Sequence, residues 1–334
     1  MVPNKQLRMA LVGLGYWGPN HLKTYYQMES VKIMKVCDFR PDRWEKIKGQ
    51  YPDLTYVNNL DSVLTDQEID AVAVVTDVET HFKITKKCLE AGKHVFVEKP
   101  IAQSSREVEE LIRLAESQKK VLMVGHLLEY HPAVRELKEL MKRNELGKIL
   151  YGYSVRVNLG KVRSRENALW SLAPHDISVL LYLLGLEPDS VTAMGKSFLR
   201  KGVDDLVFVT LHFPGGILAH LHLSWLDPYE IRKITIVGDK KMCVFDDIEP
   251  VNKLKIFHNE AIRQKEFDFY DEEYVKLKEG GVDCPVLSKT SPLRLECEHF
   301  VNCVLEGKTP LSDGRDGLRV IKVIEQIQQA LDKQ

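Results

Sequence analysis

Short runs of apolar residues alternate with longer amphipathic stretches over the first 125 residues of the chain. These runs predict buried strands and occupy 9–13, 31–37, 71–75, 94–97 and 121–124. Helical periodicity between them is clearest over 80–91, where Gly92 ends the pattern, and over 104–118. Strands that alternate with helices are typical of a parallel, doubly wound α/β sheet, which we expect at 1–125.

The pattern changes beyond a helix predicted at 132–143. Longer strand-like runs follow at 149–159, 191–199, 206–213, 217–225, 232–237 and 242–245. The run 217–225 places only apolar residues on one face, whereas the other face carries Leu218, His220, His222 and Ser224, as in an antiparallel sheet with unlike faces. We expect a helix at 174–184 to cover one face, and helices at 293–305 and 316–331 to end the chain. The pattern predicts an α+β domain at 126–334 with a mostly antiparallel open sheet, in which 259–290 gives no clear assignment.

The first predicted strand runs directly into a G-x-G-x-x-G sequence at 13–18. Gly13 permits a tight turn, Gly15 lets the backbone approach a pyrophosphate, and Gly18 lets the following helix pack closely. The N-terminus of that helix supplies free N–H groups for phosphate. Asp38 closes the second strand about 20 residues past Gly18, where a carboxylate can accept the ribose hydroxyls of NAD. The context favours a dinucleotide site over a glycine-rich turn without a ligand.

A second motif, Glu98-Lys99-Pro100, follows the apolar run 95–97. Ligands of open α/β sheets bind at the carboxyl ends of the strands, so we expect Lys99 to point its ammonium group at substrate and cofactor. An X-Pro bond can be cis at modest cost, and we predict a cis bond between Lys99 and Pro100 because it makes the turn compact.

These motifs make the chain similar to the glucose–fructose oxidoreductase/inositol dehydrogenase (GFO/IDH/MocA) family, and the resemblance covers nearly the whole chain. The residues that carry it are 13–18, Asp38, Thr76, His81, Glu98-Lys99-Pro100, Gly125-His126, Tyr130, Pro132, Ala173-Pro174-His175-Asp176 and 310–317.

The resemblance implies an NAD-dependent dehydrogenase in which Lys99 and His175 form the catalytic pair. Lys99 would stabilise a developing alkoxide, and His175, expected in the first turn of a helix beginning at Pro174, would take the hydroxyl proton. The residues expected to hold the cofactor are Gly13, Gly15, Tyr16, Trp17, Gly18, Asp38, Arg43, Thr76, His81, Glu98 and Lys99.

The chain departs from the family pattern at two positions. Many members have Asp four residues before the histidine, where this chain has Ser171, and many carry Arg or Gln near Glu129. The Ala-Pro-His-Asp context around His175 resembles the branch that acts on nucleotide sugars. It implies oxidation at carbon 3 of UDP-N-acetylglucosamine.

A basic, amide-rich segment lies just before His175. An arginine fork binds phosphate oxygens well, so a diphosphate substrate would explain this segment. A solvated basic loop or a salt-bridge patch between subunits explains it equally well. The residues expected to bind substrate are Arg156, Asn158, Arg163, Arg165, Asn167, Trp170, Ser171 and His175.

Composition narrows the possible partners. A formal net charge of -1 argues against nucleic acid, and no apolar run approaches the roughly 20 residues that span a bilayer. The N-terminus leaves no room for a signal peptide, and the six cysteines lack a C-x-x-C pattern, so we expect reduced thiols in a cytoplasmic protein. His212, His220 and His222 lack an obvious acidic or thiol partner, and we expect no metal. We expect a homodimer or homotetramer formed through the open sheet.

Two other functions stay open on the sequence. The same chemistry could act on a free sugar or polyol, such as glucose or inositol. A non-catalytic, NAD(H)-binding regulatory protein could share the fold, although it would not need both Lys99 and His175.

Overall fold

The structure is a computed structural model that describes residues 6–160, 166–258, 260–265 and 273–333. The chain forms two compact units. The first runs to Tyr130 and includes Thr290–Lys322, and the second contains His131–Lys289 and the residues from Val323 onward. The predicted boundary after residue 125 lies close to the observed one. The division differs from the domain expected at 126–334, because the helix Pro292–Glu306 buries Cys297, Phe300 and Val301 in the core of the first unit.

The first unit contains a six-stranded parallel sheet with the order β3-β2-β1-β4-β5-β6. Its strands are β1 (Leu7–Val12), β2 (Val31–Cys37), β3 (Thr55–Val57), β4 (Ala71–Val74), β5 (His94–Glu98) and β6 (Leu122–Gly125). Its helices are α1 (Gly18–Tyr26), α2 (Pro41–Glu45), α3 (Asp61–Leu64), α4 (Val78–Glu90), α5 (Ser105–Ser117) and α8 (Pro292–Glu306). The predicted doubly wound sheet is confirmed.

The strand order reverses at β1, which pairs with β2 on one side and with β4 on the other. In open α/β sheets this reversal leaves a crevice at the carboxyl ends of the strands, where ligands bind. The loops that follow β1, β2, β4 and β5 therefore bring their residues to one edge of the first unit. These are the loops to which the sequence analysis assigned the cofactor.

The second unit contains an eight-stranded sheet with the order β16-β13-β12-β11-β7-β10-β9-β8. Its strands are β7 (Ile149–Leu159), β8 (Ser190–Lys196), β9 (Leu206–Phe213), β10 (Ile217–Ser224), β11 (Leu226–Gly238), β12 (Met242–Asp246), β13 (Leu254–Phe257) and β16 (Val282–Asp283). Neighbouring strands are antiparallel except for β7 and β10, which run parallel. The mostly antiparallel sheet is thus as predicted.

Three further helices and a two-stranded sheet lie outside the two large sheets. Helices α6 (Pro132–Lys142) and α7 (Ala168–Leu184) belong to the second unit, and α9 (Gly314–Leu331) begins in the first unit and ends in the second. A two-stranded sheet of β14 (Glu260–Lys265) and β15 (Glu273–Lys278) occupies part of the segment without a sequence assignment. Within the described ranges, every helix is too short or too polar to cross a bilayer.

Helix α7 covers one face of the second sheet. The side chains of Ala219, Leu221 and Leu223 on β10 are buried on the face that α7 contacts. Leu218 and His220 alternate with them and lie on the opposite face, which is more exposed. Burial therefore alternates along β10 with the period of two that the sequence of 217–225 predicts.

The start of α7 differs from the sequence expectation. The helix begins at Ala168, and the side chain of Asn167 caps it by accepting the N–H of Trp170 at 3.1 Å. Pro174 lies inside the helix and is buried, although proline lacks the N–H that would bond four residues back. Burial of the apolar residues before Pro174 outweighs that lost bond, so His175 is the eighth residue of the helix rather than part of its first turn.

Candidate active site

The turn after β1 forms a cradle that only glycine can build. Gly13 has φ +104°, and a Cβ there would lie 2.3 Å from the carbonyl oxygen of Val75 and 2.8 Å from Cγ2 of Thr76. A Cβ on Gly18 would lie 2.3 Å from the carbonyl oxygen of Gly13. The loops after β1 and β4 thus approach each other closely beside the N-terminus of α1, whose N–H groups suit the pyrophosphate of a dinucleotide.

Asp38 ties this turn to the end of β2. It is 4% exposed, and its Oδ2 accepts the N–H of Leu14 at 2.8 Å while Oδ1 accepts the N–H of Arg40 at 2.9 Å. Nη1 of Arg43 lies 3.2 Å from Oδ2 and 3.6 Å from the point where a Cβ on Gly15 would stand. The structure therefore brings Asp38, Arg43 and the glycine turn together. Tyr16 and Trp17, in the same turn, are exposed and pack edge to face.

His81 joins the loops that follow β4 and β5. The buried ring places Nε2 3.0 Å from the carbonyl oxygen of Thr76 and Nδ1 2.8 Å from the carbonyl oxygen of Pro100. The peptide bond between Lys99 and Pro100 is cis, as predicted. Thr76, His81 and Lys99 therefore lie at the same edge of the sheet as the glycine cradle.

The carboxylate of Glu98 ends β5 beside Lys99. Its Oε1 lies 2.7 Å from Nε2 of His21, and its Oε2 accepts the backbone N–H of Lys99 at 3.1 Å. Burial opposes ionisation, but the hydrogen bond from His21 and the nearby charge of Lys99 hold the pKa of Glu98 below its ordinary value. His21 was missed by the sequence analysis, although it stands three residues past Gly18 on the helix that the glycine motif begins.

A buried polar network lies in the same unit. Nδ1 of His126 lies 2.6 Å from Oδ2 of Asp316 and 3.1 Å from Oε1 of Glu129. Burial opposes the charge of His126, but the two carboxyls raise its pKa to about 10. Burial raises the pKa of Glu129 to about 8. His126, Glu129 and Asp316 each offer one atom within 4.8 Å of the others, and Nδ1 of His126 is within hydrogen-bond distance of both carboxyl groups.

In the second unit, the residue after His175 is tightly held. Asp176 is buried and accepts hydrogen bonds from Ser154 Oγ at 2.7 Å, from Arg156 Nε at 2.6 Å and from Arg156 Nη2 at 3.2 Å. Burial opposes the charge of Arg156, but Asp176 raises its pKa above the ordinary value. Arg156, predicted to bind phosphate, thus directs two of its N–H groups at a protein carboxylate. His175 itself is half-buried on α7.

The remaining residues expected to bind substrate separate into two sets. Asn167 Nδ2 and Trp170 Nε1 both donate to Oε1 of Gln328, at 3.0 Å and 3.2 Å, so they join α7 to the end of α9 within the second unit. Ser171 is half-buried one position beyond Trp170. Asn158 is the penultimate residue of β7, and its Oδ1 has no hydrogen-bond partner among the described residues. Arg163 and Arg165 lie outside the described residues.

The histidines of the second sheet pack against an aromatic ring. The ring centroid of Phe208 lies 6.1 Å from that of His220 and 4.6 Å from that of His222. Nδ1 of His220 lies 3.2 Å from Oγ1 of Thr210. Burial lowers the pKa of His222. The contacts of His220 and His222 with Phe208 and Thr210 lie on one face of the sheet.

A glycine cradle at the strand-order reversal, an acid at the end of β2 and Glu98-Lys99 at the end of β5 define a Rossmann-type, nicotinamide-dependent oxidoreductase. Residues 7–126 match the family model described as an oxidoreductase family with an NAD-binding Rossmann fold. Residues 134–244 match the GFO/IDH/MocA C-terminal domain. The chain belongs to the GFO/IDH/MocA oxidoreductase family, and its cofactor is NAD.

Similar proteins within this family differ in substrate. The UDP-N-acetylglucosamine 3-dehydrogenase of Acidithiobacillus ferrooxidans is 26% identical over 328 residues, which cover 98% of this chain and 97% of that protein. The scyllo-inositol 2-dehydrogenase (NAD(+)) of Bacillus subtilis is 26% identical over 321 residues, with 92% and 88% covered. The solved structure of the Acidithiobacillus ferrooxidans enzyme has a TM-score of 0.82 at 24% identity and 98% coverage of both chains, which shows a shared fold.

Proposed function

We propose that the protein oxidises a secondary hydroxyl of a nucleotide-linked amino sugar, at carbon 3 of UDP-N-acetylglucosamine. The observation that carries the proposal is the similarity to a dehydrogenase of that sugar, which extends over 98% of this chain and includes both units. The motifs Glu98-Lys99-Pro100 and Ala173-Pro174-His175-Asp176 support it. Membership of an oxidoreductase family supports a catalytic role over a non-catalytic, NAD(H)-binding regulatory role.

The glycine cradle, Asp38, Thr76, His81 and Glu98 would hold NAD, which when bound accepts a hydride. Lys99 would donate a hydrogen bond to the reacting oxygen and stabilise the negative charge that develops there. His175 would take the hydroxyl proton as the carbon loses its hydride and the carbonyl forms.

The environments of Lys99 and His175 support these roles. The backbone N–H of Lys99 is held by the carboxylate of Glu98. His175 precedes Asp176, whose carboxylate is bonded to Ser154 and Arg156 on β7. Both functional side chains therefore stand beside residues that fix the local backbone, which limits the reorganisation that catalysis would require.

A second candidate substrate is a free polyol such as inositol. The ion pair between Arg156 and Asp176 favours the polyol, because Nε and Nη2 of this arginine bond to Asp176 and are not available to bind a phosphate. A relative that acts on scyllo-inositol also matches 92% of the chain. In the nucleotide-sugar proposal, Arg163 and Arg165 would supply the contacts to the diphosphate.

The substrate is tested by incubating the protein with NAD and a panel of sugars, followed by mass spectrometry of each sugar. The panel includes UDP-N-acetylglucosamine, UDP-glucose, myo-inositol, scyllo-inositol and glucose, each with and without an added oxo acid to reoxidise the cofactor. We expect a product lighter by two hydrogen atoms only from UDP-N-acetylglucosamine, with the new carbonyl located at carbon 3 by NMR. Turnover of a polyol alone would favour the second candidate. Because the sugar itself is measured, recycling of NADH does not hide the reaction.

We also propose that the protein is cytoplasmic and self-associates through the open face of the second sheet. All six cysteines are unpaired, which suits a reducing compartment. Tyr151 and Leu218 face each other across β7 and β10 and are 45% and 44% exposed, and Met194 on β8 is also exposed. An apolar patch on a sheet face is typical of a subunit interface, which supports a homodimer or homotetramer.

A further inference from the structure

His21 links the helix of the glycine motif to the strand that carries Lys99. Its side chain is 0% exposed, and Nε2 lies 2.7 Å from Oε1 of Glu98. The ring packs against Phe96, with centroids 5.1 Å apart, and against Tyr25, with centroids 6.1 Å apart. These contacts fix the direction of the imidazole, so the bond to Glu98 has a defined geometry.

Glu98 uses its two oxygens for two different tasks. Oε1 bonds to His21, while Oε2 accepts the N–H of Lys99 at 3.1 Å. Gly125 on β6 leaves room for this arrangement, since a Cβ there would lie 3.3 Å from Oε2 of Glu98. A carboxylate held at both oxygens fixes the backbone of Lys99 and places a negative charge next to its side chain.

Glu296 shows what burial does to a carboxyl group without such a partner. It lies on α8, is 0% exposed, and neither of its oxygens has a hydrogen-bond partner among the described residues. Burial raises its pKa well above the ordinary value. Burial also opposes the ionisation of Glu98, but its pKa stays below the ordinary value because of the hydrogen bond with His21 and the nearby charge of Lys99. The groups that face Glu98 are His21 and Tyr25 from α1, Lys99 after β5, and Glu296 and Cys297 from α8.

We propose that His21 is a positioning residue for Lys99, which acts by holding Glu98 as an aligned carboxylate between the two. The inference rests on the proposed function, in which Lys99 must be an ammonium group aimed at the substrate oxygen. Without the donor on His21, Glu98 would rotate and take up a proton. Lys99 would then lose both the support of its backbone and the charge that favours its protonated form.

The experiment compares His21→Phe with His21→Gln in the full-length protein. Phenylalanine fills the volume but donates no hydrogen bond, whereas the glutamine amide can reach Glu98 with an N–H group. Cys297→Ala is the matched control, because it removes the contact of Sγ with Nδ1 of His21 at 3.8 Å and leaves the bond to Glu98 intact.

The first readout is the pH dependence of acylation of Lys99, followed by mass spectrometry, which needs no substrate. We expect the midpoint of this titration to fall by about one pH unit in His21→Phe, as for the loss of one charge contact. It should stay near the wild-type value in His21→Gln and Cys297→Ala. An unchanged midpoint in a folded His21→Phe variant, or an equal shift in both His21 variants, would overturn the proposal.

The second readout is turnover of the substrate found by the panel. His21→Phe should lower kcat about tenfold or more, with a change in KM within about threefold, and the alkaline limb of the kcat profile should move to lower pH. His21→Gln should recover most of kcat. If no sugar is oxidised while the acylation midpoint moves as expected, the proposed function fails and the link from His21 to Lys99 stands. If His21→Phe does not fold, His21→Leu, which also lacks a hydrogen-bond donor, takes its place: a lowered midpoint supports the proposal, and a wild-type midpoint contradicts it.

Discussion

Arg156 on β7 forms a two-point ion pair with Asp176 on α7, in which Nε and Nη2 of the arginine bond to the two carboxylate oxygens at 2.6 Å and 3.2 Å. The pair is buried, and Ser154 adds a third hydrogen bond to the same carboxylate. Asp176 directly follows His175, so the pair ties the turn that carries the proposed base to the central strand of the sheet.

Arg156→Ala is expected to destabilise the second unit before it affects substrate binding. Among the described residues, the variant leaves Ser154 as the one side-chain donor to a buried carboxylate, and breaking a buried ion pair costs about 3–5 kcal/mol. The free energy of unfolding, measured by chemical denaturation, should fall accordingly, with Arg232→Ala as a control in a partly exposed ion pair. A variant with wild-type stability and a raised KM for a nucleotide sugar would instead assign Arg156 to the diphosphate.

Lys99 and His175 are expected to share one chemical step. Lys99→Met keeps the aliphatic stem and removes the charge, and His175→Asn keeps a polar group of smaller size but removes the base. Each change should lower kcat by about 10²- to 10⁴-fold, while the dissociation constant of NAD changes little. The double variant should be little worse than the poorer single variant, because the two groups act as a unit. Near-full turnover by His175→Asn would place the base elsewhere.

The cofactor site should prefer NAD to NADP. The buried carboxylate of Asp38 would repel the 2′-phosphate of NADP, while Arg43, 3.2 Å from that carboxylate, partly offsets the repulsion. Dissociation constants for both cofactors test this order, and Arg43→Ala should strengthen the preference for NAD. Equal or tighter binding of NADP to the wild-type protein would contradict the expectation.

The network around Glu129 predicts a loss of stability as pH rises. Its folded pKa is raised to about 8 from the ordinary 4.5, so between these values the folded protein holds a proton that the unfolded chain has released. His126 acts in the same sense, because its pKa is raised from 6.5 to about 10. Stability from both groups is therefore greatest on the acid side and falls as pH rises through the folded pKa values.

Glu129→Gln isolates the contribution of Glu129, since glutamine resembles the protonated carboxyl group and cannot lose that proton. Its melting temperature relative to wild type should increase from pH 5 to pH 8, whereas the exposed Glu90→Gln should show no such trend. A constant difference across this range would mean that Glu129 is already ionised in the folded protein.

The sequence was most informative where a local pattern has one physical meaning. A strand with apolar residues at every second position, as in 217–225, can bury those residues only on one face of a sheet. Gly13 is required because its turn has no room for a Cβ. The pattern was less informative for Arg156, because an arginine suited to phosphate is equally suited to a carboxylate such as Asp176. Cys297 and Phe300 join the first unit through packing against residues far earlier in the chain, such as His21, 276 positions before Cys297, which periodicity does not encode.

Pro174 and His21 account for two further differences between the sequence expectation and the structure. Proline commonly begins a helix, so Pro174 was a reasonable first residue for α7. The apolar residues Ala168 and Leu169, which are fully buried, instead extend the helix past it. The sequence gives His21 no chemical signal beyond its place three residues past Gly18, and its 2.7 Å distance to Glu98 is what connects it to the site.

The open face of the second sheet is expected to hold subunits together. Tyr151→Glu combined with Leu218→Glu places two like charges opposite each other on β7 and β10, in the centre of the exposed apolar patch. Both side chains are partly exposed within the chain, so the double variant should keep its fold while burial of the new charges disfavours association. Light scattering during size-exclusion chromatography should show an oligomer for the wild type and a monomer for the double variant. Val286→Glu, at an exposed position outside the patch, should leave the oligomer intact. A monomeric wild type, or a double variant that still associates, would show that this face does not form the interface.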